Sequence, residues 1–211
     1  MSSGKQRGVS AMPDFSIEKE KIAEGFTYVC GIDEAGRGPL CGPVVAAACI
    51  LPVDVDIPKL NDSKKLSPKT RQQLFDLITE KAVSYSIALS TVEEIDRLNI
   101  LEATLLAMRR AVEGLDIVPD YLLVDGNVFR DFEYEGECVI KGDARSSSIA
   151  AASILAKVTR DTLCEELDAE YPEYGFIKNK GYGTKDHMEA LRKFGPTPCH
   201  RKKFIRFLDN D

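Results

Sequence analysis

The sequence predicts an α/β fold: a five-stranded mixed sheet flanked by helices, with a helical C-terminal segment from about residue 184. Two observations carry this. Five short apolar runs of strand length are interleaved with stretches whose apolar residues recur at steps of three and four, the respective habits of strands and helices. The three early runs, beginning with a short link between the first two, suggest an antiparallel part. The later runs have helical connections and suggest a parallel part.

The elements follow in order. Residues 27–32 form a strand running into Asp33. Residues 44–51 are continuously apolar, as in a strand buried on both faces. Gly38-Pro39 and Gly42-Pro43 bracket a hairpin-like link between them. Pro52 and Pro58 open a loop that holds Asp62-Ser63-Lys64-Lys65-Leu66. Ser67 caps a helix with Pro68 at its first position. Residues 84–90 alternate, with Tyr85, Ile87 and Leu89 on the side expected to be buried. Thr91 and Glu94 form a capping box. From about Ile100 a second helix carries Leu101, Leu105, Met108, Val112 and Leu115 as a core stripe. Residues 121–124 and 138–140 are short buried strands that end at Asp125-Gly126 and Lys141-Gly142-Asp143. A long helix follows over about 146–169, and its small residues (Ala150, Ala151, Ala152, Ser153, Ala156) let it lie close to a sheet. Thr184 caps a last helix, which stops at Gly195-Pro196.

The 211 residues suffice for one domain with a sizeable core. It is expected over 15–211, after a disordered tail over 1–14. No apolar run approaches the roughly 18–20 residues that span a membrane. Lys5 and Arg7 are followed by no apolar stretch, so the N-terminus does not read as a secretory signal. A cytoplasmic monomer is the expectation. The six cysteines include no C-x-x-C pair and sit mostly in apolar runs, as buried free thiols do. With only His187 and His200 to help, they do not suggest zinc. Both histidines are expected at the surface. Net charge is −6, yet residues 178–206 hold nine Lys/Arg against two Asp/Glu. An acidic body with one basic segment suits a protein that meets a polyanion on one face.

Asp33, Asp125 and Asp143 each end a short apolar strand beside glycine, and Glu34 adjoins the first. Ligands of open α/β sheets gather beyond the carboxyl ends of the strands. A single aspartate there is commonly a turn or cap residue, but four acids brought together repel unless a cation sits among them. Oxygen-only ligands favour Mg²⁺ or Mn²⁺, and two such ions can clamp an in-line phosphoryl displacement. Asp33 and Glu34 can share the site only if the chain turns at Ala35-Gly36. Arg37 between Gly36 and Gly38, and Lys64-Lys65 before a helix, are candidate phosphate contacts. Tyr182, between Gly181 and Gly183, presents a ring that can pack on a sugar or base. Asp161 reads as a helix salt-bridge residue.

These motifs resemble bacterial ribonuclease HII, the type 2 ribonuclease H family. The resemblance lies in Asp33-Glu34-Ala35-Gly36-Arg37-Gly38-Pro39-Leu40, Asp62-Ser63-Lys64-Lys65-Leu66, Val124-Asp125-Gly126, Lys141-Gly142-Asp143, residues 151–161 and Lys180-Gly181-Tyr182-Gly183-Thr184. It spans about residues 27–196; Cys41 departs from it, at a place often held by alanine. The resemblance implies an RNase H-like fold and an endonuclease that cuts RNA in RNA–DNA hybrids and 5′ of single ribonucleotides in duplex DNA. It implies metal ligation by Asp33, Glu34, Asp125 and Asp143. It further implies reading of the ribose 2′-hydroxyl by Gly36, Arg37 and Gly38, with Tyr182 at the RNA–DNA junction. Two-metal hydrolysis with Mg²⁺ or Mn²⁺ would leave 3′-hydroxyl and 5′-phosphate ends. No replication-clamp motif stands out at the C-terminus. Two other classes compete. A non-catalytic hybrid-binding protein would need the basic face but not four acids. A magnesium-dependent phosphatase would need the acids but neither the glycine-flanked arginine nor Tyr182.

Overall fold

The computed structural model describes residues 12–210. A five-stranded sheet is its centre: β1 (Val29–Ala35), β2 (Val44–Ile50), β3 (Ser84–Ser90), β4 (Tyr121–Asp125) and β5 (Gly136–Val139). The strand order is β3-β2-β1-β4-β5. The first three strands pair antiparallel, and β1, β4 and β5 pair parallel. This is the predicted mixed sheet, with β1 at the junction of its two halves.

All seven residues of β2 are buried, as its unbroken apolar run requires. β3 departs from expectation. Tyr85 and Leu89 are exposed, whereas Ser84 and Ser90 are buried. As an edge strand it is covered mainly at its middle, where Ile87 and Ala88 pack on the two core clusters. The buried Ser84 hydroxyl accepts from the amides of Asp116 and Ile117, so its polarity is satisfied.

Helices cover both faces. α4 (Ile100–Glu113) lays Leu105, Met108 and Val112 on one side against Cys30, Ile32 and Leu122. α5 (Ser147–Glu170) lies on the other, with α2 (Pro68–Lys81) packed beside it. α3 (Val92–Leu98) begins with the complete capping box. The predicted small-residue turns of α5 are all buried. The closest approach is made from the strand side: a Cβ on Gly31 would stand 2.2 Å from the carbonyl carbon of Ser148.

An N-terminal helix that the residue pattern does not predict, α1 (Ser16–Ala23), fixes the start of α5. Its buried Glu18 accepts from the Ser146 hydroxyl at 2.6 Å and the Ser148 amide at 2.9 Å. A carboxylate at a helix N-terminus satisfies free amides and complements the dipole. Residues 1–11 of the expected tail lie outside the described residues. Asp14 is tied down: its amide donates to the Arg145 carbonyl and its carbonyl accepts from Ser147.

After the short α6 (Phe176–Asn179), α7 (Lys185–Phe194) is capped by Thr184 and ended by Gly195 at φ 78°. The rest is less helical than expected. Residues 195–205 form an irregular strap with one bridge, Cys41 opposite His200, before a 3-10 turn at Arg206–Asn210. Pro196 and Pro198 remove amide donors that a helix would use.

Candidate active site

Three strand ends deliver the acids to one edge of the sheet. β1 and β4 are parallel with Ile32 opposite Val124, so Asp33 and Asp125 follow side by side. β5 places Val139 opposite Asp125. The chain then turns through Lys141, at φ 55°, into a 3-10 turn, Gly142–Ala144, that returns Asp143 to the cluster. The Gly142 amide donates to Asp125 Oδ1 at 2.6 Å, locking that turn to β4.

β1 runs on to Ala35 because its pairing with β2 continues to Ala35 opposite Val45. The turn falls within the expected Ala35-Gly36 pair, at Gly36 with φ 96°. Asp33 and Glu34 project to opposite sides of the strand. Asp33 lies beside the Ser153 hydroxyl of α5, which counteracts part of the rise in its pKa, and accepts at 2.7 Å from the Glu34 amide. Glu34 emerges at the sheet edge, where Arg37 Nη1 lies 3.4 Å from its carboxylate.

The electrostatics are those of crowded acids. Burial pushes the Asp33 pKa well above the usual carboxylate range, and the charges of Glu34 and Asp125 push it further. Burial raises Glu34 too, against the pull of Arg37. Asp143 is raised by burial and then by Asp62 and Asp125. Burial alone would lower the Lys64 pKa, but the surrounding acids outweigh it and raise it; its Nζ is 3.8 Å from Asp143. Such a set of partly buried oxygens, short of cations, fits a hard divalent metal. Asp33, Glu34, Asp125 and Asp143 are the side chains that would hold it.

Protons and metal then compete for the same oxygens. A carboxyl with a raised pKa is protonated as pH falls through that raised value, and its metal affinity is lost there. The acid limb of the activity profile should therefore move to lower pH as Mg²⁺ is increased. An acid limb that ignores Mg²⁺ concentration would place the titration elsewhere.

Beside the acids lies a cleft of about 420 Å³. Gly36, Arg37, Gly38, Lys64 and Tyr182 line it, so the predicted substrate contacts are brought together. Tyr182 is half exposed, and a Cβ on Gly38 would sit 3.4 Å from its ring. Lys65 stands one step back, paired with Asp62 at 3.8 Å. A second cleft of similar size, bounded by Leu163, Leu167 and Tyr171, contains none of the four acids.

The structure adds residues that the motifs do not single out. Asp62 is a fifth acid, near enough to Asp143 for its charge to raise the Asp143 pKa; its presence in one loop with Lys64 is the signal that could have found it. Ser153, read as helix packing, also joins the Ser63 hydroxyl at 2.9 Å. Arg71, Lys157 and Arg160 complete the cationic wall. Asp161 forms the expected ion pairs, with Lys157 at 2.6 Å and Arg71 at 3.3 Å.

The two histidines are not surface residues: His187 and His200 are buried. His187 Nδ1 donates to the Tyr182 carbonyl at 2.9 Å, and the Thr197 amide donates to His200 Nδ1 at 3.0 Å. Those contacts fix both tautomers, so His200 Nε2 donates to His187 Nε2 at 3.1 Å. Burial lowers the His187 pKa, keeping the ring neutral. The Cys41 thiol lies within 4.8 Å of both rings, but each ring nitrogen already has a hydrogen-bond partner. The pair anchors the turn that presents Tyr182, a role invisible in the spacing.

Clustered acids where parallel strands end, next to a cation-lined cleft on this sheet, define an enzyme of the ribonuclease H class. The family model for ribonuclease HII matches residues 30–207. The chain is 56% identical over 187 residues to ribonuclease HII of Desulfitobacterium hafniense, covering 89% of this chain and 72% of that protein. It is 56% identical to ribonuclease HII of Chlamydia pneumoniae, covering 90% and 88%. Among solved structures it resembles ribonuclease H2 of Pyrococcus horikoshii, with TM-score 0.72, 30% identity and coverage of 87% and 98%. It also resembles the Archaeoglobus fulgidus RNase HII solved in complex with PCNA, with TM-score 0.66, 25% identity and coverage of 84% and 95%. The chain belongs to the ribonuclease HII family, endoribonucleases that act on RNA–DNA hybrids. No described helix is long and apolar enough to cross a membrane.

Proposed function

We propose that this enzyme cuts the RNA strand of hybrids and also incises 5′ of a single ribonucleotide in duplex DNA, leaving 3′-hydroxyl and 5′-phosphate ends. The observation that carries this reading is that Glu34, at the edge of the acid cluster, lines one cleft together with the Gly36-Arg37-Gly38 turn and the Tyr182 ring. Asp33, Glu34, Asp125 and Asp143 hold two ions, Mg²⁺ or Mn²⁺. When bound, these would lower the pKa of an attacking water and stabilise the leaving 3′-oxygen. Lys64 and Arg37 meet backbone phosphates. The amides of the glycine-flanked turn approach the ribose, whose 2′-hydroxyl separates RNA from DNA. Tyr182 packs on the sugar at the junction. The enzyme works as a monomer, and no replication-clamp contact is assigned to it.

The test is a DNA duplex carrying one ribonucleotide, incubated with and without Mg²⁺. Cleavage 5′ of the ribonucleotide that stops with EDTA is expected. Arg37→Ala and Tyr182→Ala should each lose about ten- to a hundredfold in kcat/KM on this substrate, the scale of a misplaced reacting group. Their overall affinity should change less. An equal loss on long hybrids would remove the junction-reading role.

A further inference from the structure

Arg201 has the largest fully buried side chain among the described residues. It lies in the irregular strap after α7, far in sequence from the acids. Its Nε donates to the Gly42 carbonyl at 2.9 Å. Its Nη1 donates to Arg37 O at 2.9 Å and Pro39 O at 2.8 Å. Its Nη2 donates to Gly36 O at 2.6 Å and Gly42 O at 2.8 Å, with Pro43 O at 3.3 Å. The Phe204 ring lies 5.2 Å away, against the guanidinium. All five N–H donors of an arginine are thus engaged, and every acceptor is a main-chain carbonyl of residues 36–43. Main-chain bonds hold the strap itself: Arg201 N donates to Leu40 O, and Gly42 N to Cys199 O, both at 2.8 Å.

Burying a cation without a carboxylate partner is costly. A general packing role would be met by an apolar side chain. What only a guanidinium does is hold several carbonyls at fixed mutual angles, because its fork is planar and rigid. The arc it holds begins at the turn lining the cleft. With the carbonyls of Gly36 and Arg37 drawn inward to Arg201, the amides that follow them, on Arg37 and Gly38, are constrained in the opposite sense.

We infer that Arg201 is the positioning residue of the ribose-reading turn, aiming the Gly36-Arg37-Gly38 backbone at the substrate from inside the protein. This rests on the reading of that turn given above. Lysine, a point charge on a flexible stem, keeps the charge but cannot reproduce the fork.

The experiment is a double-mutant cycle on the single-ribonucleotide duplex, using Arg201→Lys, Arg37→Ala and their combination, with Arg201→Gln as a second variant. Rates are taken per folded molecule, below each variant's melting midpoint. Arg201→Lys should lose about ten- to a hundredfold in kcat/KM, the scale of a small misplacement near the chemistry. The double variant should lose no more than the larger single loss, since the second change has no aimed turn left to disturb. Independent, multiplying losses would overturn the assignment, as would a wild-type rate in Arg201→Lys. If neither Arg201 variant folds, Arg201 is a folding residue and the assignment also fails. If Arg37→Ala leaves this cleavage unchanged, the Arg37 side chain meets no substrate, and the functional reading itself fails.

Discussion

Asp33→Asn is expected to abolish cleavage while making the metal-free protein more stable. Asp33 is the most enclosed of the four acids, 4% exposed, between the end of β1 and Ser153 of α5. The amide is nearly isosteric and can still hydrogen-bond, so the packing survives. What disappears is a negative oxygen ligand at the centre of the cluster. The loss in kcat should be about a thousandfold or more, the upper range for removing one group that stabilises transition-state charge. Hybrid binding should stay largely intact, because Lys64, Arg37 and the basic wall remain. The stability change has the opposite sign. A carboxyl with a raised pKa in the folded state binds protons more tightly there than when unfolded. Above that raised value its charge costs stability, and the cost fades as pH falls through it. Removing the charge at neutral pH should gain about 0.5–2 kcal/mol, a common gain at sites strained for function. For a chain of this size that is a rise of roughly 1–8 °C in melting temperature. Cleavage at the wild-type rate in Mg²⁺ would remove Asp33 from the metal site. A lower melting temperature without metal would contradict the account of crowded charge.

What is readable in the sequence follows from how local each signal is. An apolar run that stops at an aspartate beside glycine is complete within six residues. That signal places Asp125 at the end of β4, whereas Asp33 proves to sit two residues inside β1 and Asp143 in the 3-10 turn after β5. The caps at Ser67, Thr91 and Thr184 are legible too, because an N-cap acts on amides two or three residues away. The strand order is constrained in the same way, since the acids converge only if β1 adjoins the later strands. Other features depend on partners that no local pattern announces. His187 and His200 read as surface residues because no periodic spacing joins them: they are only 13 positions apart, and the irregular path from α7 into the strap brings their rings together. Arg201 reads as one of nine basic surface residues, yet its acceptors lie about 160 positions earlier. β3 misleads for another reason. Alternation tells which residues share a face, but an edge strand covered only at its middle does not bury that face evenly.

The second large effect is structural, and it falls on a glycine with no role in chemistry. Gly31→Ala is expected to destabilise the protein by about 3 kcal/mol or more, the upper range for overpacking a close-packed interior. A Cβ at Gly31 would stand 2.2 Å from Ser148 C, 2.3 Å from Ile149 N and 2.5 Å from Ser148 O. These are main-chain atoms of the first turn of α5, so no rotamer change can make room. Either the helix lifts from β1 or the strand bows. The helix is held at that end by Glu18 through Ser146 and Ser148. Between that anchor and the sheet, little movement is free. Ser153, which meets Asp33, is five residues further along the same helix, so lifting α5 also loosens the acid cluster. The melting temperature should fall by roughly 6–12 °C. Activity measured well below the new midpoint should fall too, because the Ser153 contact to Asp33 is stretched. A variant that melts within about 2 °C of wild type would show that α5 and β1 separate easily. The close helix–strand contact would then not be what fixes Asp33 in place.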